Sequence, residues 1–162
     1  MLSRLVILAP IFLVACASPS QNSFNEDRRI EQAIVGNWEC DFEQTFPEGS
    51  FSFDTNDAFV ANGRYTSIGS LIMYFEEEGV ELEYVLADSG TWEVIDEKLV
   101  TTSEDMKIKN VSHPGIEELF DINDLFPKNM SGAYSILELS SEKLVLKFDR
   151  NTPEMSCMRI DA

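Results

Sequence analysis

Basic residues are scarce in this chain: 12 Lys and Arg stand against 29 Asp and Glu, a formal charge of −17. A field of that sign repels nucleic acid and anionic headgroups and draws in cations and basic partners. Histidine is scarcer still. The only one, His113, sits between Ser112 and Pro114, and no nucleophile elbow or other local catalytic signature accompanies it. Three cysteines without close spacing make no zinc motif, and glycine-rich phosphate loops and basic-aromatic patches are missing. No cofactor, metal or nucleic acid is therefore expected, nor any catalytic residue. Acids are too numerous for a pair of them to signal glycoside cleavage. Asp54-Thr55-Asn56-Asp57 and Asp121-Ile122-Asn123-Asp124 cluster oxygen ligands but lack the glycine and terminal glutamate of a calcium loop, so they read as turns. The acidic stretch Glu76-Glu77-Glu78 reads as a solvated hairpin tip.

Long apolar runs are also absent. The longest, Leu5 to Val14, is about half of the roughly 20 residues a spanning helix needs. It follows Arg4 and closes on the small residues Ala15, Cys16, Ala17 and Ser18, the pattern of a cleaved secretory signal. Leu13-Val14-Ala15-Cys16 resembles the lipobox of bacterial lipoproteins, in which the thiol receives a diacylglyceryl group before cleavage. The resemblance implies a signal peptide over 1–15 and lipidation at Cys16. Three acyl chains suffice for stable anchoring. In that family an Asp after the cysteine holds the protein at the inner membrane; Ala17 here implies the outer membrane, on its periplasmic face.

About 147 residues remain after such processing, enough for one domain. Residues 16–25 are rich in Ser, Pro, Gln and Asn and read as a flexible tether, leaving 26–162 as a single folded unit. Hydrophobic content of 44% with 11 Phe argues for a packed core despite the acidity. With Cys16 lipidated, Cys40 and Cys157 form an even pair in an exported chain, which reads as a disulfide.

A short helix is expected from Asn25 to Val35, with Ile30 and Ile34 on one face and Gly36 ending it. Beyond it the apolar period drops to two. Trp38, Cys40 and Phe42 alternate with Glu39, Asp41 and Glu43; Val80, Leu82, Tyr84 and Leu86 repeat the pattern against Glu81 and Glu83, and Leu144, Leu146 and Phe148 against Lys143, Lys147 and Asp149. Asn62-Gly63 predicts a type I′ hairpin. Further turns are expected at Glu78-Gly79, Asp88-Ser89-Gly90, Asp96-Glu97, Ser140-Ser141 and Asn151-Thr152-Pro153. The stretch from His113 to Phe126 breaks the rhythm and predicts a short helix or lid near 116–124. The fold class is mainly β, an antiparallel sandwich or barrel.

Gly36-Asn37-Trp38 at the start of the first strand resembles the Gly-x-Trp signature of lipocalins, and Gly90-Thr91-Trp92 repeats it. The family's middle Thr-Asp-Tyr motif is absent. The resemblance implies a lipocalin-like barrel of about 8–10 strands in which a basic residue of the last strand packs across the first-strand Trp, a structural contact. Arg159 is the best candidate, because pairing Cys40 with Cys157 on antiparallel strands sets Trp38 opposite Arg159. The family also implies a small apolar ligand lodged inside, among residues such as Phe42, Leu82, Tyr84 and Phe148; otherwise the same side chains are plain core. Two other roles fit an acidic envelope protein. One is docking or inhibition of a basic protein such as lysozyme. Ser131-Gly132-Ala133-Tyr134-Ser135 resembles a loop of one inhibitor family, with its Tyr one position early. The other is a structural or assembly partner at the outer membrane.

Overall fold

The computed structural model describes residues 21–113, 115, 122 and 129–160. One helix, α1 (Gln21–Ile34), precedes eight strands: β1 (Gly36–Phe46), β2 (Gly49–Val60), β3 (Arg64–Phe75), β4 (Val80–Ile95), β5 (Lys98–Asn110), β6 (Ser131–Leu139), β7 (Lys143–Lys147) and β8 (Met155–Ile160). Each strand pairs antiparallel with its neighbour in sequence, and β8 returns to β1 to close a barrel. The expected antiparallel barrel is thus what the chain forms. Strict alternation makes it possible, since one residue in two must face the interior of a closed sheet.

Helix α1 starts at Gln21, so residues 21–25, expected in the tether, belong to it. Its apolar stripe is short. Ile34 is fully buried and Ile30 packs beside it on the core. Two acids of the helix receive backbone donors from the β4 region: the amide of Glu97 donates to Asp27 Oδ1 at 2.9 Å, and that of Val94 donates to Glu31 Oε1 at 3.4 Å. The helix therefore lies against the barrel end that holds the β2–β3, β4–β5 and β6–β7 turns.

Two turns differ from expectation in an instructive way. Val60 pairs with Arg64, so the β2–β3 loop has three residues, and only Gly63 has positive φ (77°). That is a type I turn followed by a left-handed glycine, not the type I′ turn that Asn62-Gly63 predicts. The two-residue loop with positive φ at both positions is Asp96-Glu97, at 50° and 61°. Asp88-Ser89-Gly90 is no turn at all. It lies within β4, where the register with β5 shifts between Ser89 and Gly90 and leaves Glu104 as the extra residue. Such a bulge lets both Ser103 and Met106 face inward. Asp54 to Asp57, also expected as a turn, runs through β2.

The wall is uneven. Strands β1–β5 are 11 to 16 residues long, whereas β7 and β8 have 5 and 6. β8 pairs with β1 only from Asn37 to Asp41, and β6 pairs with β5 only from Lys98 to Thr102. One core cluster, with Trp38, Phe59, Trp92, Leu99 and Leu144, fills the α1 end. The other, with Leu71, Leu82, Tyr84, Leu86, Ile108 and Ile122, fills the far half of β3–β5. The helix or lid expected near 116–124 lies outside the described residues except for Ile122, which is 2% exposed within the second cluster.

Candidate ligand cavity

The α1 end is sealed by the residues that the lipocalin resemblance singled out. Trp38 pairs with Arg159 and Cys40 with Cys157, the register expected from the cysteines. The two half-cystines are bonded, with Cα atoms 4.0 Å apart. Arg159 stacks on the Trp38 ring with Cζ 4.1 Å from its centroid. Its guanidinium donates to the carbonyls of Ala33 (2.6 Å), Val35 (2.9 Å) and Ser141 (2.7 Å). Two of those carbonyls are at the C-terminal end of α1, where cations are favoured. Gly36 leaves the room this requires, since a Cβ there would sit 2.1 Å from Arg159 Nη1. Trp38 Nε1 donates to the Ile34 carbonyl at 2.8 Å, and Trp92 Nε1 to that of Val60 at 3.0 Å. These groups hold the barrel shut and are fully occupied in doing so. Cys16, where the sequence predicts lipidation, lies like the whole of 1–20 outside the described residues.

Between the two core clusters the barrel is hollow. A cavity of about 240 Å³ is walled by apolar side chains, among them Phe53, Phe59, Leu86, Leu99, Ile108 and Met155. Its polar groups are gathered from five strands: Thr55 and Asp57 of β2, Tyr65 and Ser67 of β3, Asp88 of β4, Thr101 of β5 and Tyr134 of β6. Among the described residues no Lys, Arg or His lines it.

The two carboxylates are held differently. Asp88 is satisfied at both oxygens: Tyr65 donates to Oδ2 at 2.5 Å and Ser103 to Oδ1 at 2.6 Å. The Gly90 bulge is what brings Ser103 to it, and only glycine fits there, because a Cβ would sit 1.9 Å from the Thr102 carbonyl oxygen. Asp57 Oδ1, by contrast, is buried with no hydrogen-bond donor in reach among the described residues. Burial raises the Asp57 pKa above the ordinary carboxylate value. The Ser67 and Thr55 hydroxyls oppose the rise, and the charge of Asp88 adds to it. Tyr65 is likewise held protonated, by burial first and then by its bond to Asp88, and burial also raises Tyr134.

None of the four side chains expected to line a cavity does so. Leu82 and Tyr84 point inward but are solid core in the second cluster, 6% and 2% exposed. Phe42 also faces inward, yet it packs with Phe51 and Phe53, ring centroids 5.6 and 6.2 Å away, beyond the point where β8 leaves β1. Phe148 falls one residue past β7 and is 55% exposed, with its ring 5.7 Å from Tyr134. The carboxylates escape a sequence reading because both stand in segments rich in turn formers. The usable signal was parity: Phe51, Phe53, Thr55, Asp57 and Phe59 are one alternating row.

Elsewhere the site inventory is spare. His113 is exposed, with Nδ1 3.0 Å from Ser112 Oγ. Glu76, Glu77 and Glu78 are exposed in the β3–β4 turn. Among the described residues no three His, Cys, Asp or Glu side chains are grouped to hold a metal ion.

Fold and cavity together define a class: a closed eight-stranded antiparallel barrel with a hollow, acidic interior and one sealed end. Among solved structures the chain is similar to a lipocalin-like protein from Bacteroides uniformis, with TM-score 0.43 and 13% identity, over 79% of this chain and 99% of that one. No family model and no curated protein matches the sequence.

Proposed function

We propose that this is a non-catalytic binding protein of the cell envelope. Its barrel takes a small ligand into the 240 Å³ cavity, and a lipid on Cys16 holds it at the periplasmic face of the outer membrane. The observation that carries the binding reading is the hollow itself. Eight strands leave an interior that side chains are able to fill, and here they do not. Pockets that combine apolar walls with a few convergent polar groups are the common form of small-molecule sites. The lipocalin resemblance of Gly36, Trp38 and Arg159 points the same way, toward a mostly apolar ligand body. An acidic surface that docks a basic protein has the net charge in its favour, but it gives the cavity no task.

Every core contact described falls within residues 21–160, so the chain from Gln21 onward is the unit to test, with the near-ultraviolet signal of Trp38 and Trp92 as the check of folding. Native mass spectrometry of that unit after isolation from a periplasmic extract is expected to show a small-molecule adduct. An empty barrel, together with salt-sensitive capture of lysozyme, would replace this reading with docking. For the anchor, mass spectrometry of the mature N-terminus is expected to find acylated Cys16. An unmodified N-terminus on protein that stays in buffer would refute it.

A further inference from the structure

The interior is the wrong polarity for a purely apolar ligand. Two carboxylates face one apolar-walled cavity, and among the described residues no basic side chain lines it. A carboxylate withdrawn from water without a countercharge is costly, and it is tolerated where a partner compensates it. Asp88 has such compensation within the protein, from Tyr65 and Ser103. Asp57 has less: the Ser67 and Thr55 hydroxyls favour its charged form, but its Oδ1 is buried and lacks a donor among the described residues.

Resting on the ligand-binding reading above, we propose that the cavity takes a small organic ammonium ion, an aryl- or alkylamine whose protonated nitrogen donates to Asp57 and whose apolar body lies against the Phe53, Phe59 and Leu86 wall. Three features of the cavity select this class. An ammonium brings the countercharge and a donor for the unpartnered Oδ1 of Asp57, and a charge-assisted bond is about twice as strong as a neutral one. Phe59, Tyr65 and Tyr134 line the cavity, and aromatic rings attract a cation more than they do an alcohol. Anions and zwitterions fare worse, because a second carboxylate would be enclosed with Asp57 and Asp88 and no cation of the protein. A bare metal ion has too few ligands grouped for it among the described residues. The raised pKa of Asp57 agrees with a site whose field is unbalanced until a cation enters. Outside, the charge of −17 concentrates cations near the barrel.

Calorimetric titration of the chain from Gln21 onward with three near-isosteric probes tests this: 2-phenylethylamine, 2-phenylethanol and 3-phenylpropanoate. At about pH 8 the free phenylpropanoate is ionised and the free amine is protonated. The amine is expected to bind about tenfold or more tightly than the alcohol, and the carboxylate weakest of all. Asp57→Asn is expected to abolish the amine's advantage, bringing the amine and the alcohol to similar affinities. Ser67→Ala, which keeps the charge, is expected to preserve that advantage. Equal binding of amine and alcohol, or an advantage that survives Asp57→Asn, overturns the ammonium assignment and leaves the cavity as a site for neutral ligands. Failure of all three probes to bind overturns both the assignment and the ligand-binding reading beneath it.

Discussion

The sealed end and the cavity lie on the same strands yet treat their polar atoms in opposite ways. At the sealed end Arg159 gives three hydrogen bonds to main-chain carbonyls and its face to Trp38, and both indole N–H groups reach a carbonyl. A few residues along the same β2 strand, Asp57 keeps a buried oxygen with no donor. Full satisfaction is what stability selects, and a buried group left wanting is what a binding site costs. The contrast separates residues that hold the barrel from residues that use it.

The largest perturbation belongs to the sealed end. The Cys40–Cys157 bond spans 117 residues, for which loop entropy gives roughly 5 kcal/mol as an upper figure. Reduction, or the double change to Ser, is expected to lower the unfolding free energy from urea titration by most of that amount. A loss below about 1 kcal/mol would show that the first and last strands need no staple. Next comes Arg159→Ala, expected to cost about 3 kcal/mol through three bonds to a charged donor and the lost ring contact. Arg159→Lys should recover less than half, since an ammonium cannot span the same three carbonyls. Recovery in full would mean that charge alone, and not the planar fork, closes this end.

The cavity should respond with the opposite sign. Asp57→Asn removes a charge that the empty barrel does not need, so it is expected to raise stability by about 1 kcal/mol and Tm by a few degrees. The pH dependence follows from the direction of the shift. A carboxyl whose folded pKa lies above its unfolded one holds its proton longer in the folded state. That contribution is complete below the usual carboxylate value of 3.8 and is lost as pH climbs through the raised value. Burial sets the shift first, and Ser67, Thr55 and Asp88 are the neighbours that adjust it. Urea midpoints taken from acid to neutral pH should therefore fall less steeply in Asp57→Asn than in the parent, and parallel curves would deny the shift. Smallest of the four is Glu97→Gly. It places a residue without a Cβ where φ is 61° and is expected to add about 0.5–1 kcal/mol without touching ligand affinity, since the Glu97 amide keeps its bond to Asp27.

Much of the sealed end was legible in the sequence because its residues specify one another. The two cysteines determine a register, the register sets Arg159 opposite Trp38, and a glycine two residues before the indole leaves room for the guanidinium. The cavity was not legible, for a physical reason that Asp88-Ser89-Gly90 makes plain. Residues that tolerate a turn also tolerate a bulge, and which of the two forms depends on β5, a partner not local to them. Asn62-Gly63 and Asp96-Glu97 show the same limit in turn geometry: the left-handed pair fell to the residues whose flanking strands paired two apart, not to those with the stronger preference. Phe148 failed for a third reason, since alternation says where a strand would face but not where it stops.

One consequence of the strand order concerns how the chain finds this shape. Seven of the eight seams join strands that follow one another in sequence, and only the β1–β8 seam unites distant parts. The barrel is a meander rolled into a ring, so assembly reduces to successive nearby pairings followed by a single closure. Closure is the step that bears the entropy of a loop of more than a hundred residues. A chain whose Cys40 and Cys157 are already joined begins with that step complete, and it reaches the ring by zipping outward from its own last seam.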